Sequence, residues 1–357
     1  MKAHRLPVLA LAFAALAAGI ATGLRRIGWE VVGPGAAYPI DHGPLMIAGF
    51  LGTLIGLERA VALGRAWVYA GPIASGLGVL AHVAGAPAIV APAGATIGSL
   101  VLVSALTSVV AARPTLFLGV MTCGAACWMV GNLFWLGGAA SPAYVSWWVT
   151  FLVLTIAAER LELTRLLPAA RGSRESFVAV ATLLLVSVAA GGVGGPTSAR
   201  ATGLALAALA AWLGRYDLAR RTVRQHGLPR FTAVCLLSGY AWLAAAGILL
   251  VGGGAVVAGP QYDAVLHAVF LGFVFAMIFG HAPIVFPAVL GVAIPFHRAF
   301  YAHLALLHAS LLARLVADIA DAASIRQWAA LLNAAAIALF FANTIAAVVR
   351  GRLHDSR

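Results

Sequence analysis

Two histidines stand in an apolar stretch long enough to cross a bilayer. Residues 262–290 read YDAVLHAVFLGFVFAMIFGHAPIVFPAVL and carry His267 and His281. About 20 apolar residues span the ~30 Å hydrocarbon core, and an ionisable group at that depth is costly enough to mark a functional site by default. The fourteen-residue separation corresponds to roughly 21 Å along a helix and places both within about 40° of one face. Each imidazole is therefore expected near a different membrane surface. A second stretch, residues 41–63 (DHGPLMIAGFLGTLIGLERAVAL), opens on His42 and closes on Glu58-Arg59. The sequence predicts that these two helices face each other and hold a metal cofactor between them.

His42 and His267 fall at similar depth, toward the expected outer surface. Neutral imidazole is a common metal ligand and binds haem iron axially, so two such rings on two helices suit a clamped haem. Asp263, one turn before His267, is placed to orient that ring. Arg314 suits a haem propionate through paired N–H groups, or a partner in Asp318, four residues on along the same helix. The plainer alternative makes His42 a helix cap and His267 a contact to a neighbouring helix. His281, His303 and His308 belong to one inner hairpin. His281 with either of the others suits copper; a proton path or a hydrogen-bonded helix contact would use the same residues. His82 reads as interfacial, or as a third ligand to an outer copper. Cys123 and Cys127 share a helix face and read as packing residues, with a soft Cu(I) site as the alternative. There is no phosphate-binding loop, dinucleotide fingerprint or CxxCH attachment site, so the haem expected is non-covalent haem b.

The elements that must position these residues follow from composition. Of 357 residues, 62% are hydrophobic and 10% charged, with the apolar residues gathered in blocks. The expectation is an all-α, polytopic membrane bundle forming one integral domain over 1–357, in contact with bilayer lipid. Twelve blocks stand out: Pro7–Leu24, Gly43–Leu63, Trp67–Val83, Ile89–Ala112, Leu116–Leu136, Tyr144–Leu163, Phe177–Val193, Ala201–Leu213, Phe231–Val251, Ala264–Leu290, Phe300–Ala320 and Trp328–Val349. With the N-terminus inside, eighteen Lys and Arg fall on the inner side and only Arg25, Arg26, Arg200 and Arg326 on the outer. That bias predicts twelve crossings of a bacterial inner membrane with both ends cytoplasmic. The net charge of +12 thus sets orientation and does not point to nucleic acid. LERA at the end of the second block, AERLEL at the end of the sixth and GHAP in the tenth hint at three four-helix arcs with equivalent central helices.

Residues 266–284 (LHAVFLGFVFAMIFGHAPI) resemble the NnrS family of bacterial membrane proteins through His267, Met277, Gly280 and His281. His42, Met46, Gly49 and Phe50 match an early His, Met and Gly-Phe pattern of that family less tightly. By motif the likeness covers about a third of the chain. The family's Arg-Gly turn after the second histidine is Ala-Pro here, the mark of a divergent branch. The resemblance implies twelve helices, haem and copper, and a role in nitric oxide response or tolerance or in membrane redox chemistry, with NO or a redox protein as partner. A wider likeness is to subunit I of haem-copper oxidases, whose second and tenth helices supply both axial histidines of the low-spin haem. The copper-site histidine pair on that subunit's seventh helix has no counterpart in Phe177–Val193, so a complete oxygen-reducing centre is not expected. The competing expectation is a proton-coupled transporter with the histidines along its path.

Overall fold

The computed structural model describes residues 5–31, 41–165 and 171–355. In chain order its long helices are α1 (Leu6–Arg26), α2 (His42–Leu63), α3 (Ala66–Val83, opening on a 3-10 turn), α4 (Val90–Ala112), α5 (Leu116–Leu136) and α6 (Ser141–Thr164). They continue as α7 (Ser173–Ala189), α8 (Pro196–Tyr216), α9 (Leu228–Gly253), α10 (Gly259–His267, Ala268–Phe275 and Ala276–Leu290 in succession), α11 (Phe300–Ile319) and α12 (Ala323–Asp355). No strand occurs among the described residues. Ten of these helices are long and apolar enough to cross a membrane; α7 and α8 are the two that fall outside that set. The protein is a multi-pass helical membrane protein. In hydrocarbon every backbone group must be paired within the chain, and the α-helix does so within one segment. Exposed Val186, Ile248, Leu312, Val316 and Ile345 give the bundle an apolar exterior for lipid.

The chain packs as two compact units, Met1–Phe151 with Ala288–Gly291, and Leu152–Pro287 with Val292–Arg357. In the first, α3 crosses α4 where Gly78 meets Gly94. A Cβ on Gly94 would lie 2.5 Å from the Ala74 carbonyl oxygen and 2.9 Å from Gly78 Cα. In the second, α8 crosses α9 at Gly203 and Gly247, where a Cβ on Gly203 would lie 2.6 Å from the Gly247 carbonyl oxygen. Lipid tails give helices no hydrophobic reason to associate, so close backbone approach over small residues supplies the packing. The first unit is also pinned by a polar knot. Asn132 Nδ2 donates to Ala95 O at 2.9 Å and to Ser99 Oγ at 3.1 Å, while Trp148 Nε1 donates to Asn132 Oδ1 at 2.9 Å, tying α4, α5 and α6 together.

Two helices contain a stretch of π-helix. Leu45–Gly52 in α2 and Ala268–Phe275 in α10 are eight-residue π-helical stretches, one in each unit. Such stretches are rare and are frequently found at functional sites. Both contain a Gly-Phe pair, Gly49-Phe50 and Gly272-Phe273. Gly52 receives the Trp128 indole and Gly272 the Trp242 indole, each so closely that a Cβ there would collide with the ring. Widening the turn changes which main-chain groups pair. The Ala48 carbonyl, inside the first stretch, accepts from Ser75 Oγ on α3 at 2.8 Å. The counterpart suggested by the repeat, α6, is helical throughout with no such stretch.

Pro283 and Pro287 do not end α10, although proline lacks the N–H a helix interior uses. The helix runs on to Leu290 and stops where Gly291 adopts φ +68°. Arg5 supports that end: its Nη1 donates to Val289 O at 3.0 Å and Ala288 O at 3.4 Å. A cation on the last carbonyls of a helix is favourable.

Candidate functional site

In the first unit, His42 opens α2 and lies against α1. Its Nδ1–H donates to the Gly19 carbonyl at 2.7 Å. Gly23, one turn along α1, is met by the same ring: a Cβ there would fall 2.7 Å from His42 Nδ1. The imidazole thus seats on a groove made by two glycines. Beside it, Asp41 Oδ2 accepts from His82 Nε2 at 3.0 Å, and His82 Nδ1 donates to Ala86 O at 3.3 Å. Burial raises the Asp41 carboxyl above its usual value, and the neighbouring His82 ring pulls the other way. His82, read from sequence as interfacial or as a third ligand to an outer copper, is a hydrogen-bond partner of Asp41.

In the second unit, His267 closes the first segment of α10, immediately ahead of the π-helical stretch. Its Nδ1–H donates to the Asp263 main-chain carbonyl at 2.7 Å. The contact is to the Asp263 backbone oxygen, whereas the sequence reading gives the orienting role to its side chain. Its carboxylate Oδ2 stands 4.0 Å from Arg314 Nη2 on α11, and Arg314 Nε lies 3.9 Å from Asp318 Oδ2, the i to i+4 pairing expected from sequence. Arg326 Nη1, on α12, lies 3.8 Å from Asp318 Oδ1.

His281 occupies a different setting in the same unit. Arg160, counted in the sequence as an inner loop residue, is buried in α6 and grips Asp217 with two nitrogens, Nε to Oδ2 at 2.6 Å and Nη2 to Oδ1 at 3.0 Å. The Asp217 carboxylate also accepts from Tyr240 OH at 3.0 Å and from Ala219 N at 2.6 Å. Arg160 Nη1 turns to His281 Nε2 at 3.4 Å, while His281 Nδ1–H donates to Met277 O at 2.7 Å. Guanidinium has donors only, so His281 accepts through Nε2 and is the neutral tautomer.

His303 and His308 separate as their five-residue spacing predicts. His308 Nδ1 accepts from Trp242 Nε1 at 2.9 Å, and its Nε2–H donates to Ser238 Oγ at 2.9 Å, joining α11 to α9. This is the hydrogen-bonded helix contact named among the sequence alternatives. His303 sits among Phe279, Phe340, Phe300 and Phe231, with ring centroids 4.7 to 6.0 Å away, and its Nδ1 accepts from Asn343 Nδ2 at 3.2 Å. In this arrangement both nitrogens of His308 are engaged and His281 Nε2 faces a cation. Among the described residues no group of three or more His, Cys, Asp or Glu is placed to hold a metal.

A family described as a domain of unknown function (DUF8744) matches residues 5–349. The chain belongs to that family. No curated protein and no solved structure matches it. The DUF8744 match runs through every residue of the settings above, from Arg5 to Asn343.

Sequence reasoning found the histidines and, apart from Asp263 beside His267, missed their partners. Asp217 is the one carboxylate among five arginines between Arg215 and Arg230, and that isolation was the available signal. Tyr240, Trp242 and Asn132 carry no such mark, since an apolar block containing one aromatic or amide residue looks like any other.

Proposed function

We propose that this is a haem-binding membrane protein akin to the NnrS-like proteins its motifs resemble, in which His42 and His267 supply imidazole nitrogens to iron. The supporting observation is their matched construction. Each histidine stands just ahead of an eight-residue π-helical stretch, and each gives its Nδ1 proton to a main-chain carbonyl at 2.7 Å. A carbonyl can only accept, so the neutral ring keeps its lone pair on Nε2. Holding an imidazole through one nitrogen is how proteins orient the other toward a metal. Each ring, taken within its own unit, is held as a metal-binding imidazole would be. Bound haem supplies one-electron chemistry and a place for a diatomic gas, which suits a role in nitric oxide response or membrane redox chemistry. The chain's own part is to fix two rings and keep water out, with Leu45, Phe50 and Phe273 wholly buried beside them in sequence. Asp263 contributes through its carbonyl. Arg314 is left to its two aspartates rather than to a propionate. The same reading has the chain cross a bacterial inner membrane twelve times with both ends cytoplasmic.

The test is an absorption spectrum of protein purified from membranes in which haem is available. A Soret band is expected, altered in His42→Ala and in His267→Ala and unchanged in His82→Ala. A band indifferent to both ligand substitutions would reject the assignment. The buried set Arg160, Asp217, Tyr240 and His281 favours a second reading, a proton-coupled carrier, because ionisable groups inside a membrane bundle commonly line such paths. A colourless protein that dissipates an imposed pH gradient in vesicles would establish that reading instead.

A further inference from the structure

The second unit contains two aspartates whose side chains are both 0% exposed, and their settings are opposite. Asp217 takes four hydrogen bonds, from Arg160 Nε and Nη2, Tyr240 OH and Ala219 N. Both of its oxygens are thereby satisfied by donors. Asp318 takes none: among the described residues neither Oδ1 nor Oδ2 has a donor within hydrogen-bonding distance. Its nearest cations are Arg314 Nε at 3.9 Å and Arg326 Nη1 at 3.8 Å, too long for hydrogen bonds. We propose that Asp318 is a proton-exchanging carboxyl, a binding site for one proton where α10, α11 and α12 bring their charges together.

The charged groups that face it are Arg314 on its own helix, Arg326 on α12 and, beyond Arg314, Asp263 on α10. His267 stands one turn from Asp263 with its Nδ1–H committed to the main chain. A buried anion without donors is unfavourable and takes up a proton instead. Two guanidiniums near 4 Å supply attraction that keeps the anion accessible when the proton leaves. Neither form is locked, and that balance is what reversible exchange requires. The step adds one proton from water to one carboxylate oxygen and returns it; no electron moves and no other bond changes. Nothing in it depends on haem.

Infrared difference spectroscopy of the full chain in lipid, between acidic and alkaline buffer, reads this directly. The expected result is a carboxylic-acid carbonyl band that appears on acidification and shifts in heavy water. It is lost in Asp318→Asn and kept in Asp263→Asn. In Asp318→Glu it moves in frequency, which decides the matter if the asparagine variant fails to fold. Arg326→Gln removes a cation that favours the ionised form, so the band should then titrate at higher pH, a change that a merely structural role would not produce. A wild-type protein with no titrating carboxylic-acid band, or a band that survives in Asp318→Asn, would overturn the proposal. Loss of the Soret band with this infrared band intact would strike the haem reading alone.

Discussion

Arg160 and Asp217 show what it takes to keep charge inside a membrane bundle. Removing one partner strands the other without water, at a cost of about 3–5 kcal/mol for a buried pair, whereas replacing both with apolar residues can be nearly neutral. Thermal unfolding in detergent should therefore show a large loss for Asp217→Leu and a smaller one for Asp217→Leu combined with Arg160→Met. Tyr240→Phe removes one hydrogen bond to a charged group and should cost roughly 1.5–3 kcal/mol. If the double variant is no more stable than Asp217→Leu, the buried guanidinium is not the source of the penalty. At this scale the sequence was half legible. A histidine in an apolar block announces itself, and the i to i+4 relation of Arg314 and Asp318 can be counted. The carboxylate that Arg160 finds lies 57 positions away, past α7 and α8, and no local pattern encodes that meeting.

The helices themselves were legible as apolar runs, because hydropathy and length decide what can lie in a bilayer. Their internal geometry was not. Leu45–Gly52 and Ala268–Phe275 are apolar throughout, so no polar periodicity betrays the change to π-helical winding. Pro283 and Pro287 lie inside α10, which continues until a glycine with positive φ ends it. Helix crossings carry their own prediction. Gly94→Val should push α3 from α4 and lower stability by about 1–3 kcal/mol or more, as overpacking does. Gly119→Val on α5, where a Cβ meets nothing within 4 Å, should change stability by no more than about 0.5 kcal/mol. Equal effects at both glycines would mean that close approach is not what holds α3 to α4.

For the whole molecule, the class of multi-pass helical membrane protein follows from composition, while the number of crossings turns on α7 and α8. The twelve-crossing reading puts the turn at Gly194 on the side of the membrane opposite to Gln225. With Cys123 replaced by serine, since it is the exposed thiol of three, an impermeant thiol reagent should label Gly194→Cys from one side and Gln225→Cys from the other. Labelling of both from the same side would mean that α8 does not cross and would reject twelve crossings. Helical membrane bundles house carriers and haem sites alike, so function is argued from the site. The claim on which the account rests is that His42 and His267 are iron ligands, and near-infrared magnetic circular dichroism of the oxidised, purified protein identifies such ligands directly. The prediction is an imidazole-ligated iron signature in the wild type that loses imidazole character in His42→Ala and again in His267→Ala. A signature untouched by either substitution, or no iron porphyrin at all, would contradict it.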